Sequence, residues 1–160
     1  MRKFLILLLL ICLPGLASAA IPDNSRSLAG LKAVGVIFDV NTGNPQNLLL
    51  RLKLIEETVL SVAADGVSPD VVVAFRGGAS LFVTRGDKYL PKEDLDHKVA
   101  IQAQIKRLKG LGYRLEQCAV AARLLKIDPQ DIIDEVPLVG NGYISMIGYQ
   151  NRGYAFIPMD

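Results

Sequence analysis

The 160-residue sequence has no tryptophan, one histidine (His97) and two cysteines. So few His and Cys side chains argue against a protein-only zinc centre within one chain. There is no P-loop, no Cys-x-x-Cys pair and no Gly-x-Ser-x-Gly elbow. The common signatures of phosphate cradles, dithiol chemistry and serine hydrolysis are therefore missing. The stretch from Gly140 to Ser145 opens like a dinucleotide fingerprint but lacks its last glycine and follows a late strand, so it carries no such assignment. The Gly-Tyr pairs at 142, 148 and 153 are unevenly spaced and form no repeat. Their tyrosines are candidates for a subunit contact.

A long apolar span is also missing. Residues 4–13 are apolar throughout, but ten residues in a helix reach only about 15 Å, half of a bilayer core of about 30 Å. Arg2 and Lys3 precede the run and Ala17-Ser18-Ala19 follows it. This is the pattern of a cleavable secretory signal over residues 1–19, and it predicts a periplasmic or secreted protein with no membrane span after cleavage. Loss of Arg2 and Lys3 takes the 18 Lys and Arg to 16, equal to the 16 Asp and Glu. A formally neutral domain has no basic field to hold nucleic acid. Cys12 leaves with the signal. Cys118 remains as a lone thiol, which cannot form a disulfide within its own chain and is free, reactive or paired between chains.

Residues 20–31 mix proline, asparagine, aspartate and serine and read as a flexible leader. Residues 33–40 form a short, continuous, β-branched run, the pattern of a buried strand. Asn44 is a good helix N-cap and Pro45 a good first helical residue. Leu48, Leu52, Ile55, Val59 and Val62 then mark one face of a helix to about residue 64. Leu49, Leu50, Leu54 and Leu60 lie off that stripe and predict either a wide core contact or a subunit interface. A second buried strand covers 70–75, a short helix 79–84 and a polar surface loop 85–97. A helix over 97–109 points Ile101, Ile105 and Leu108 inward and Lys98, Gln102, Lys106 and Lys109 outward. Further strands are predicted at 113–117, 136–139 and 154–157, with helices at 119–126, 128–133 and 142–150. Strands alternating with helices mean an α/β domain, residues 32–160, with a mainly parallel sheet of about five strands.

Sites in such sheets form at the carboxyl ends of the strands. Three strand-to-helix junctions qualify: 41–44, 76–78 and Cys118. The first amides of the helix after Cys118 would favour a thiolate, and Arg123 and Arg114 are near enough in sequence to add positive field. The alternative is a small buried apolar residue, since free cysteine is among the most buried types. Arg76, Gly77 and Gly78 could hold an anion through guanidinium and backbone amides, as could Asn41, Thr42 and Gly43; both also fit ordinary turns. Asp39 is a candidate site carboxylate or a partner for backbone donors. His97, beside Asp94 and Asp96, reads as a solvated helix start rather than a general base.

Several of these pieces occur together and in order: Leu115-Glu-Gln-Cys118-Ala-Val-Ala-Ala-Arg-Leu-Leu-Lys-Ile-Asp-Pro129, then Val139-Gly-Asn-Gly-Tyr143, with Phe38-Asp-Val-Asn-Thr-Gly43 and Val73-Ala-Phe-Arg-Gly-Gly78 upstream. Over most of residues 32–158 the chain resembles the DsrE/DsrF-like family of sulfur-relay proteins, in its small exported single-domain branch. The resemblance implies a three-layer α/β/α fold and a homo-oligomer, trimer or hexamer. It implies a cysteine, at the position of Cys118, that carries sulfane sulfur as a persulfide between donor and acceptor proteins or small sulfur species, at most as a cysteine-dependent sulfurtransferase. No cofactor is implied. The alternative function is a non-catalytic oligomeric module that binds a small anionic or sulfur-containing ligand. The family's relay members work in the cytoplasm and often in hetero-complexes, whereas this chain carries an export pattern and has no second cysteine to resolve a persulfide.

Overall fold

A computed structural model describes residues 23–160. The expected signal segment, 1–19, lies outside the described residues. Within the expected leader, Ser25–Leu28 form one helical turn, α1. The domain then runs β1 (Ala33–Val40), α2 (Pro45–Ala64), β2 (Ser68–Phe75), α3 (Leu95–Gly110), β3 (Arg114–Cys118), α4 (Ala119–Leu124), β4 (Leu138–Val139), α5 (Gly142–Asn151) and β5 (Ala155–Met159). Short 3-10 segments occupy Gly77–Val83, Lys92–Asp94 and Pro129–Asp131.

The five strands form one sheet in the order β4-β3-β2-β1-β5, and every neighbouring pair is parallel. Parallel strands need crossover helices, which cover both faces and make central strands apolar on both sides. The central strands β1 and β2 follow this rule. Phe38, Val40, Val71, Val73 and Phe75 join Leu48, Leu52 and Ile55 of α2 and Ile101, Ile105 and Leu108 of α3 in the larger core. The alternate residues Ile37, Val72 and Ala74 face the other way and meet Met146 and Tyr149 of α5. The result is the three-layer α/β/α arrangement.

Local chemistry sets the element ends. Asn44 caps α2 by accepting from the Asn47 amide at 2.9 Å, and Pro45 occupies the first turn. Off the apolar stripe of α2, Leu49 packs against the core while Leu50 and Leu60 stay exposed.

The helix period misplaces two side chains of α3. Lys98 and Gln102, expected to point outward, turn to the preceding segment. Lys98 is 3% exposed, and its ammonium donates to the carbonyls of Arg85 and Gly86 and to the Asp87 carboxylate. Gln102 donates to the carbonyls of Phe82 and Thr84 at 3.0 and 2.8 Å. Carbonyls drawn in from an irregular segment need donors, and this requirement outweighs the polar pattern of the helix.

Candidate functional site

Cys118 is both the last residue of β3 and the N-cap of α4, so no loop separates strand from helix. Its sulfur accepts from the Ala121 amide at 3.5 Å, the first turn of α4. It also accepts from a second helix: the Gly142 amide, first residue of α5, lies 3.1 Å from Sγ. The sheet explains this convergence. β4 pairs in parallel with β3, with Cys118 opposite Val139, so the β4–α5 junction stands beside the β3–α4 junction. Asn141 caps α5 by accepting from the Tyr143 amide, which fixes the helix start against the sulfur. Two helix starts thus direct partial positive charge at one sulfur atom.

Cys118 is 4% exposed. The residue nonetheless borders a cavity of about 310 Å³, shared with Arg76, Gly77, Gly78, Val120, Ala121, Leu124, Leu125 and Tyr143. Leu124 and Tyr143 stand largely in solvent at its edge. From inside the sheet, Gln117 donates to the Cys118 carbonyl at 3.0 Å and to the Ser80 hydroxyl at 2.8 Å, tying the end of β3 to the 3-10 segment behind it.

The structure sorts the other expected residues into three groups. Arg76, Gly77 and Gly78 reach the cavity, but the Arg76 guanidinium is engaged. Its Nε donates to one oxygen of buried Asp39 at 2.6 Å and a terminal nitrogen donates to the other. Its third nitrogen reaches the Tyr143 hydroxyl at 3.4 Å, and the group lies 5.1 Å from that ring's centre. The hydrogen bonds it donates to Asp39 hold the Arg76 pKa above its ordinary value. Asp39 therefore partners a cation.

Asn41, Thr42 and Gly43 stand behind the cavity wall. The Asn41 side chain donates to the Asp160 carboxylate at 2.7 Å, the Thr42 hydroxyl accepts from the Asn44 amide, and Gly43 lies against the Gly78 backbone. Arg123 is exposed on another face of α4, where with Lys126, Ile127 and Pro129 it lines a separate cavity of about 680 Å³. Val120 borders both cavities. Arg114, at the far end of β3, pairs with Asp70 and the Tyr154 hydroxyl, both at 2.7 Å, and not with the sulfur.

His97 is half-buried in the first turn of α3, and its Nδ1 has no hydrogen-bond partner. Among the described residues no group of three His, Cys, Asp or Glu could hold a metal ion, and no helix is long and apolar enough to cross a membrane.

Residue-by-residue reading did not find the role of α5. Glu116, two residues before Cys118 on β3, accepts from the Ser145 and Tyr149 hydroxyls. That pair clamps α5 to the sheet and so holds Gly142 at the sulfur. Burial and the Glu116 carboxylate push the Tyr149 phenol up to about 12. The signal in the sequence was Asn141-Gly142 itself, a cap followed by the one residue that can approach a neighbour without a Cβ.

Comparison with known proteins places the chain in a family. Residues 32–159 match the model of the DsrE/DsrF-like family. An uncharacterized protein of Aquifex aeolicus is 30% identical over 132 residues, which make up 80% of this chain and 56% of that protein; the chain spans about half the length of this relative. The solved structure of a protein of unknown function from Methanobacterium thermoautotrophicum has the same fold, with a TM-score of 0.62 at 18% identity, over 78% of this chain and 98% of that one.

Proposed function

This chain belongs to the DsrE/DsrF-like family, and we propose that it is an exported sulfur carrier in which Cys118 holds sulfane sulfur as a persulfide. The observation that carries the reading is the position of Cys118: its Sγ accepts from the Gly142 and Ala121 amides, and the residue borders a cavity large enough for a second sulfur atom. Amide donors stabilise negative charge on sulfur, and the thiolate is the attacking form. In loading, the Cys118 thiolate attacks the outer sulfur of a donor hydropersulfide R–S–SH. A bond from Sγ to that sulfur forms, the donor S–S bond breaks, and its electron pair leaves on R–S⁻. Delivery is the reverse in kind: an acceptor thiolate takes the outer sulfur and Cys118 leaves as thiolate. No redox cofactor is required by this exchange.

Export rests on the basic, apolar and small-residue pattern of residues 1–19. Assembly into a homo-oligomer, trimer or hexamer, is part of the same reading. Exposed Tyr143, Ile144 and Ile147 on α5 supply apolar surface for it. Tyr149 and Tyr154 turn inward against Arg114 and do not contribute to that surface.

Treatment with elemental sulfur, S8, an uncharged sulfane donor, followed by intact-mass and peptide spectrometry, should add sulfur in steps of about 32 Da to Cys118 alone. A native thiol that neither gains sulfur nor alkylates until the chain is denatured would instead mark Cys118 as structural. The larger cavity with Arg123 and Lys126 favours the second reading, a non-catalytic module for a small anionic or sulfur-containing ligand. In that case Cys118→Ser keeps any ligand-induced thermal stabilisation, whereas the carrier reading requires loss of all sulfur loading.

A further inference from the structure

The cavity at Cys118 contains one charged side chain, Arg76, and that charge is already matched by the two-point pairing with Asp39. The remaining wall includes the apolar side chains of Val120, Leu124 and Leu125. The Gly142 and Ala121 amides are directed at Sγ itself, so they stabilise negative charge on the protein's own sulfur rather than on an incoming molecule. A donor with its own negative charge therefore meets a thiolate and a neutralised guanidinium, in surroundings of low dielectric that strengthen repulsion between like charges. Its desolvation also finds no free cation to offset it. An uncharged sulfur chain meets neither obstacle, and its polarizable atoms gain dispersion contacts with the leucines.

On the reading of Cys118 as the sulfur-carrying thiol, we infer that its donor is an uncharged sulfane compound, such as an organic polysulfide, rather than a sulfur oxyanion. The step balances without an oxidant. With a trisulfide R–S–S–S–R, the Cys118 thiolate attacks the central sulfur. A new bond to Sγ forms, one S–S bond of the donor breaks, and the electron pair departs on R–S⁻. The adduct is Cys118–S–S–S–R, its first sulfur being Sγ. A second thiolate R′–S⁻ then attacks the sulfur that bears R, R′–S–S–R forms, and the electron pair of the broken S–S bond leaves on Cys118–S–S⁻, the persulfide.

The test compares dimethyl trisulfide with tetrathionate, a dianion that also reacts with thiolates, on the expected mature chain, residues 20–160, whose one cysteine is Cys118, and on 2-mercaptoethanol as the unhindered reference. The ratio of the two rate constants, trisulfide over tetrathionate, should be about tenfold or more higher for Cys118 than for the reference thiol, in keeping with the size of electrostatic effects on encounter. Leu124→Lys places a cation at the cavity edge, at a side chain 70% exposed and so outside the core. It should raise the tetrathionate rate several-fold and so lower the trisulfide-over-tetrathionate ratio. A ratio equal to that of 2-mercaptoethanol overturns the inference and leaves the carrier reading standing. A high ratio that Leu124→Lys does not change puts the selectivity in size rather than charge, and overturns it as well. If native Cys118 reacts with neither reagent while the denatured chain reacts with both, the carrier reading itself fails.

Discussion

The backbone nitrogen of Gly142 and the sulfur of Cys118 are hydrogen-bonded at 3.1 Å, across a parallel strand pair that brings two helix starts together. Glycine eases this contact. A Cβ at position 142 would stand 3.1 Å from the Cys118 Cβ and 3.4 Å from its sulfur, so one of the two elements would have to give way. Gly142→Ala is therefore expected to lengthen the amide-to-sulfur contact. A hydrogen bond to a charged acceptor contributes about 1.5–3 kcal/mol, and its partial loss leaves negative charge on the sulfur less well stabilised. Native-state iodoacetamide alkylation at neutral pH should slow about threefold relative to the same chain in denaturant. An unchanged ratio would mean that the Gly142 amide has no influence on the sulfur.

The Asp39–Arg76 pair is a wall of the cavity and can be tested as such. Asp39 is buried and its carboxylate accepts two hydrogen bonds from one guanidinium. Asp39→Leu leaves the Arg76 cation without its partner and should destabilise the domain by about 2–3 kcal/mol, somewhat under the range for fully buried pairs because Arg76 retains some exposure. Adding Arg76→Met should recover most of that loss, since replacement of a whole pair by apolar groups is often neutral. Urea denaturation of the two variants decides it: equal losses would show that the pair does not act as a unit.

Much of this architecture was legible because its signals are local. The β-branched run at 33–40 matches β1 at both ends, and Asn44-Pro45 starts α2 where the capping pattern places it. The predicted third strand, 113–117, is displaced by one residue, and the displacement matters: Cys118 itself ends β3 and caps α4. Signals that depend on distant partners were not legible. Lys98 looks like a surface lysine until the carbonyls of residues 85 and 86 are seen to face it. Gly142 acquires its role through a pairing of β3 with a two-residue strand, which no periodicity announces. Arg123 is close to Cys118 in sequence, yet helix geometry turns it to a different cavity.

The glycines of the two neighbouring junctions answer to packing. A Cβ on Gly78 would lie 2.5 Å from the Gly43 Cα and 2.8 Å from its nitrogen, a collision of backbone with backbone that no rotamer change relieves. Gly78→Ala should therefore destabilise the domain by about 2 kcal/mol, in the range for overpacked sites. Gly86→Ala, with nothing within 4 Å of the added methyl, should change it by less than about 0.5 kcal/mol. Comparable denaturation midpoints for the two variants would remove the close junction contact as the reason for glycine at 78.

At acid pH the helix layer has its own titrating link. Glu56 of α2 accepts from Arg107 and Gln104 of α3, both at 2.6 Å, and the Arg107 hydrogen bond, then that from Gln104, holds its carboxyl below the ordinary 4.5. A depressed folded-state pKa means the folded chain binds that proton less readily than the unfolded chain. The contribution is present above about pH 4.5 and is lost as pH falls further. Wild type should therefore lose more stability than Glu56→Gln between pH 6 and pH 3. Parallel urea midpoints over that interval would show that the carboxylate's ionisation does not support the α2–α3 contact.

At alkaline pH the corresponding link is Tyr149, which holds α5 to the sheet through Glu116. Burial first, then the hydrogen bond and the charge of Glu116, push its phenol from 10.0 up to about 12. Here the folded state keeps the proton longer than the unfolded state, so the contribution is complete below about pH 10 and disappears as pH climbs through about 12. Wild type should lose stability steeply over that window, while Tyr149→Phe, with no phenol to ionise, should follow a shallower curve from a lower starting value. Tyr113, also raised by burial, slopes both curves in the same direction and cancels in their difference. Because α5 carries the Gly142 amide, the loosening should also reach the sulfur: Tyr149→Phe at neutral pH should alkylate at Cys118 more slowly than wild type, in the same direction as Gly142→Ala. Parallel alkaline curves, or an unaffected alkylation rate, would break the connection from Glu116 through α5 to Cys118.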